Sequence, residues 1–151
     1  MSNHQTSPSG SNPSEKIDLS GLDFKSPSMT LYDEDAQKAA ECVAHNIVGL
    51  GKTKLKEANK PTQLRRFYDE LLMWEQRIRN KPSAYPEYLP MIKMLNAKVA
   101  YAHGRKLVDK NYHDLIREGL RQLSEDNPET YYHFRLFMEA FMGFYKMEKG
   151  N

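Results

Sequence analysis

A chain of 151 residues is close to the commonest single-domain length, so one hydrophobic core is expected. Hydrophobic residues at 39%, charged residues at 28% and aromatics at 11% exclude a chain disordered throughout and describe an ordinary globular one. The formal net charge is only +2, but it is unevenly divided: Lys52 to Lys110 carries fourteen Lys/Arg against six Asp/Glu, a local +8 set against −6 for the remainder. A middle segment this basic is a candidate surface for a polyanion.

Residues 1–16 are rich in Ser, Asn, Pro and Gly and hold almost no large apolar side chain, so they cannot bury enough surface to offset the entropy of ordering. They are expected to form a disordered arm. Residues 17–32 form a short apolar linker in which Ile17, Leu19, Leu22 and Phe24 can pack either on the domain or on a partner. Residues 33–151 are expected to form a single helical domain.

Within that domain Ala36, Ala39, Ala40, Val43, Ile47 and Leu50 recur at three- and four-residue steps, which predicts a first helix. Asp33, Glu34 and Asp35 suit its start, and Gly49 and Gly51 suit its stop. A lysine-rich connection follows, and Pro61-Thr62 opens a second helix whose stripe Leu64, Phe67, Leu71, Trp74 and Ile78 is the cleanest amphipathic pattern in the chain. Pro82 ends it. Pro86 and Pro90 are placed in the first turn of a third helix, with Leu95, Val99 and Ala102 on its inner face and an end near Arg105. Asn111 is the expected cap of a fourth helix carrying Tyr112, Leu115, Ile116, Leu120 and Leu123 inward, and Asn127-Pro128 opens a fifth. The fifth is so aromatic, from Tyr131 through Phe134, Phe137, Met138, Phe141 and Phe144 to Tyr145, that it is either central to the bundle or apposed to another subunit. No segment alternates with period two, so the predicted fold is all-α, a compact bundle of about five helices.

Catalytic chemistry finds no foothold. Gly51-Lys52-Thr53 resembles the end of a phosphate-binding loop, but that loop needs a glycine where Asn46 stands and a strand where a helix is predicted. Cys42 and His45 lie three apart on the first helix, yet two ligands do not make a metal site, and Cys42 is expected in the core of a protein from a reducing compartment. HEPN-type helical ribonucleases use an arginine followed four to six residues later by a histidine, and that pair is absent. No enzymatic activity and no cofactor are expected. With no apolar run of the roughly 20 residues that span a bilayer and no leader peptide at its start, the chain is expected in the cytoplasm.

The basic segment has structure of its own. Lys52, Lys54, Lys56 and Lys60 lie in the connection before the second helix, and Arg65 and Arg66 in its first turns. Unpaired N–H groups at that helix start would let Thr62, Gln63 and Arg65 hold a phosphate together. On the third helix Lys98, Tyr101 and Arg105 share one face, with Tyr101 offering a flat surface to a base or sugar.

The run Thr62-Gln63-Leu64-Arg65-Arg66-Phe67-Tyr68-Asp69, followed by Met94-Leu95-Asn96-Ala97-Lys98-Val99-Ala100-Tyr101-Ala102-His103-Gly104-Arg105, resembles the small subunit of type III-A CRISPR (Csm) effector complexes. The resemblance runs from about Lys52 to the C-terminus. It implies a helical, non-catalytic subunit of an antiviral RNA-guided assembly, stacked with other copies of itself along the inside of a filament of backbone subunits. It further implies contact with single-stranded target RNA paired to CRISPR RNA, without base reading, while the backbone subunit and a polymerase-like large subunit carry the catalysis. By motif position it places RNA contact on Lys52, Lys54, Gln63, Arg65, Lys98 and Arg105; Lys56, Arg66 and Lys106 are added by charge and proximity. The other reading of the same residues is a helical protein-interaction adaptor that does not touch RNA.

Overall fold

The computed structural model describes residues 16–45 and 58–149, and every regular element among them is helical. A π-helical turn at Leu31–Asp35 leads into α1 (Ala36–His45); then come α2 (Pro61–Asn80), a 3-10 turn (Pro82–Ala84), α3 (Tyr85–Lys93), α4 (Leu95–Gly104), α5 (Lys110–Arg121) and α6 (Pro128–Lys149). The all-α expectation holds, with the third expected helix divided into α3 and α4. The arm up to residue 15, the expected glycine stop of the first helix and the connection through Lys52, Lys54 and Lys56 lie outside the described residues.

The division at Met94 has a chemical cause. Pro90 lies inside α3 and not in its first turn as the spacing suggested. It has no N–H to donate, and its ring crowds the carbonyl one turn back. Helical bonding then tightens, and the Met94 N–H is shared by the carbonyls of Pro90 and Met91, each at 3.2 Å. The cap of α5 also differs from the expected one. Asp109, not Asn111, supplies it by accepting the Tyr112 N–H at 3.0 Å. Asn111 is buried in the first turn, where its side-chain oxygen accepts the Ile17 N–H at 3.0 Å.

α6 is the centre of the bundle. Tyr131, Phe134, Phe137, Met138, Phe141 and Tyr145 are all fully buried within the chain, against α1, α2 and the segment before α1. That segment is part of the same core: Ile17, Leu22, Phe24 and Leu31 are buried, and the Phe24 ring lies 5.3 Å from both Phe134 and Phe137. The α2 stripe Leu64, Phe67, Leu71, Trp74 and Ile78 faces inward throughout. Where α2 meets α6 one charge cluster is centred on the buried Glu75 and the half-buried Arg135. Arg135 bonds the carboxylates of Glu75 and Glu139, and Glu75 also holds Arg79 at 2.8 Å, so no buried charge in it lacks an opposite partner.

Packing between α5 and α6 depends on the absence of one side chain. A Cβ at Gly119 would fall 2.1 Å from Cε1 of the fully buried Phe134. Gly119→Ala is therefore expected to destabilise by about 2 kcal/mol through overpacking, a fall of roughly 4–8 °C in Tm by calorimetry. Gly143→Ala on α6, whose Cβ would meet nothing within 4 Å, is the matched control and should melt at or slightly above the parent temperature.

Candidate nucleic-acid interface

The basic residues come together through a residue that carries no charge. Asn59 is fully buried with φ of 58°, a left-handed conformation that asparagine tolerates better than most residues. Its N–H donates to the Leu107 carbonyl at 2.8 Å, its side-chain oxygen accepts the Asp109 N–H at 2.9 Å, and its side-chain nitrogen donates to the Val43 carbonyl at 3.2 Å. The Tyr145 hydroxyl donates to the Asn59 carbonyl at 2.6 Å. One residue thus pins the entry to α2 onto the exit of α4, and ties both to α1 and α6. Nothing in the amino-acid pattern singled it out; the only available signal was an asparagine directly before a Lys-Pro helix start.

A second tie lies farther along. The Lys98 ammonium on α4 donates to both Glu70 carboxylate oxygens on α2 at 3.1 Å. Asn59 meets Leu107 at one end and Glu70 meets Lys98 at the other, so α2 and α4 run in opposite directions and are tied at these two points. Positions four apart share a helix stripe, so Glu70 facing Lys98 puts Arg66 and Thr62 on the α4 side of α2. On α4 the stripe is Met94, Lys98, Tyr101 and Arg105, all exposed. Tyr101 is 66% exposed, and the Arg105 guanidinium lies 5.8 Å from its ring centre with one nitrogen donating to the hydroxyl at 3.3 Å. Lys106 follows with φ of 65°, at the turn where the Leu107 N–H returns to the Ala102 carbonyl.

Not every expected residue behaves alike. Arg65 lies on a neighbouring stripe and is paired with Asp69 at 3.0 Å, and Lys98 is paired with Glu70. Among the described residues Arg66 and Lys106 have no ion pair and Arg105 bonds only the Tyr101 hydroxyl, so of the described cations on this face these three are uncompensated. The expected N–H grip at the α2 start is weaker than its sequence suggested. Pro61 has no N–H, and the N–H of Gln63 is taken by the Lys60 carbonyl at 2.9 Å. Attraction for an anion there falls to side chains.

Behind the face, α4 and α5 are joined by an imidazole pair, His103 Nδ1 to His113 Nδ1 at 3.0 Å. One nitrogen must hold the proton and the other the lone pair. Burial, Arg117 and His103 hold His113 below the ordinary imidazole value, so the unfolded chain binds more protons than the folded one at mildly acidic pH. The stability this supplies is complete above the unfolded value of about 6.5 and is lost as pH falls through the folded value. Burial pushes the Asp109 carboxyl up, an effect of opposite sign. Melting temperature is accordingly expected to fall between about pH 7 and 5, and His113→Asn should flatten that dependence.

No group of three or more His, Cys, Asp or Glu among the described residues could hold a metal. Cys42 lies 3.6 Å from the Asn111 side-chain nitrogen, while His45 turns to Glu148 on α6 at 2.7 Å, so the two do not form a ligand pair. No described helix is long and apolar enough to cross a membrane.

Comparison with known proteins adds one match. The family model described as Csm2 Type III-A matches residues 35–151. No curated protein and no solved structure matches the chain significantly. The matched residues take in all of α1, the Asn59 bracket and every helix of the basic face, and the chain belongs to the Csm2 type III-A family, the small subunits of type III-A Csm complexes.

Proposed function

We propose that this chain is a non-catalytic small subunit that holds the target RNA strand by its phosphate backbone, without reading bases, inside a type III-A effector complex of the cytoplasm. The observation that carries this reading is the antiparallel α2/α4 face. There Arg66, Lys98, Tyr101, Arg105 and Lys106 are exposed together, and Asn59 fixes the start of α2 to the end of α4. Lys and Arg contact phosphate as charge and carry no base code outside a groove, and Tyr101 presents a π-face that every base can meet. The pairs Arg65–Asp69 and Lys98–Glu70 do not block the face. Exposed ion pairs contribute about 0–1 kcal/mol, so a phosphate can take either cation from its carboxylate. Stacking on other copies, beside the backbone filament and the polymerase-like large subunit, is the placement that family membership supports.

The alternative adaptor reading leaned on the aromatic last helix as a partner face. Of those rings Tyr131, Phe134, Phe137, Phe141 and Tyr145 are buried within the chain and Phe144 is half-buried, which removes the main support of that reading. The discriminating experiment is fluorescence anisotropy with labelled single-stranded RNAs of one composition in several scrambled orders. All are expected to bind alike and weakly. A more than tenfold preference among them would sink backbone recognition, and no binding to any of them would favour the adaptor.

A further inference from the structure

The segment before α1 is held as a peptide ligand would be. Between Ile17 and Phe24 four hydrogen bonds reach its backbone, all from side chains of α5, its C-cap and α6. Asn111 accepts the Ile17 N–H at 3.0 Å, the Gln122 side chain accepts the Phe24 N–H and donates to the Leu22 carbonyl, both at 2.7 Å, and His133 Nδ1 meets the Phe24 carbonyl at 2.7 Å. Gln122 thus grips the strap as a strand edge would, donor to acceptor and acceptor to donor. The segment's own anchor is Phe24, fully buried between Phe134 and Phe137. Backbone bonds for affinity and one aromatic pocket for choice are the ingredients of extended-peptide recognition.

The connection out of this groove is thin. Lys25, Ser26, Pro27, Ser28 and Met29 are exposed, Met29 completely so, before Leu31 returns to the core. A cleft of about 440 Å3 remains beside the strap, lined by Leu19, Leu22 and Lys25 on one side and Glu118, Arg121 and Gln122 on the other. The whole strap lies before residues 35–151, the span that matches the family.

We propose that the α5/α6 groove is a binding site for an extended peptide with a phenylalanine anchor, filled in one chain by its own strap and open to the strap of a second copy. Every copy carries the same ligand and the same groove, and the exposed connection is the hinge that exchange requires. In dilute solution the tethered strap wins, because its effective concentration is on the order of millimolar. Side-by-side copies, a placement that rests on the function proposed above, raise the competing strap to a comparable concentration and favour exchange. The test below needs neither RNA nor the complex, so its failure is separable from failure of the RNA reading.

Two full-length variants are mixed. Gln122→Ala damages the groove and keeps the strap; Phe24→Ala damages the strap and keeps the groove. Light scattering after gel filtration should show a 1:1 dimer in the mixture beyond any association of either variant alone. A labelled peptide of residues 16–25 should bind the Phe24→Ala chain about tenfold or more tighter than the same peptide carrying Phe24→Ala. If the Phe24→Ala chain does not fold alone, recovery of its helical circular dichroism on adding the intact peptide is equivalent support. Peptide binding without the mixed dimer would overturn the second copy as occupant. Absence of both peptide binding and peptide-induced folding would overturn the site.

Discussion

Trp74→Ala is expected to destabilise the fold by about 3–5 kcal/mol, with Phe67→Ala in the same range, because each truncates an aromatic side chain in the core and leaves a cavity. The two residues close different seams of α2. Trp74 is 5% exposed with its ring 5.4 Å from Tyr88 on α3, and Phe67 is 8% exposed with its ring 6.0 Å from Tyr112 on α5. For a chain of this size such losses lower Tm by roughly 6–20 °C, large enough for a simple thermal melt. Trp74 has a second effect that Phe67 lacks. Its indole N–H donates to Glu70 at 3.4 Å, and Glu70 is the carboxylate that holds Lys98. Trp74→Ala should therefore disturb the basic face as well as the core, whereas Phe67→Ala should act through folding alone. If either variant melts like the parent yet fails to assemble with other subunits, that ring faces a partner and not the core.

The contrast between these residues and the basic face shows which physics a sequence exposes. The α2 stripe was readable because apolar side chains at 3, 4, 3, 4 spacing have one way to leave water, and all five are inward. The same holds for Tyr112, Leu115, Ile116 and Leu120 on α5. Features that depend on contacts distant along the chain were not readable. Gln122 reaches Phe24 across 98 positions and Asn59 reaches Asp109 across 50, and neither pairing has a period. The cap of α5 was misplaced by two residues because Asn and Asp serve equally well, and only the geometry shows that Asn111 is needed elsewhere. Pro90 inside α3 had no local sign at all. The exposed stripe of α4 was readable in the spacing: Lys98, Tyr101 and Arg105 share a face. The ranking of Arg65 over Arg66 was not settled by motif position, although Asp69 four residues after Arg65 is a sequence-level sign of a paired arginine. Lys52, Lys54 and Lys56 lie outside the described residues, so the face is defined here by its helical half.

That ranking yields the second large expected effect. If about four phosphates are contacted per chain, single-strand binding should vary with salt at a slope of roughly −2.8, so raising salt from about 50 to 200 mM weakens it about fiftyfold. Arg66 and Arg105 are exposed on the two sides of the α2/α4 seam with no ion pair among the described residues, so replacing both with alanine should remove two of those contacts. The slope should fall by about 1.4, and the same salt step should then cost only about sevenfold. The melting temperature should hardly move, because exposed charges contribute little to folding. Arg65→Ala is the informative companion. Its guanidinium already has Asp69 as a partner, and its stripe is not the one that faces α4, so its loss should change affinity and slope less than loss of Arg66. Phosphate binding at the seam requires the order Arg66 and Arg105 before Arg65. If the Arg66→Ala/Arg105→Ala chain keeps the parental affinity and slope while Arg65→Ala loses them, the strand runs along the outer stripe of α2 and the seam is not its track. If all three variants bind as the parent does, the helical face does not touch RNA, and the lysine connection before Asn59 becomes the place to look.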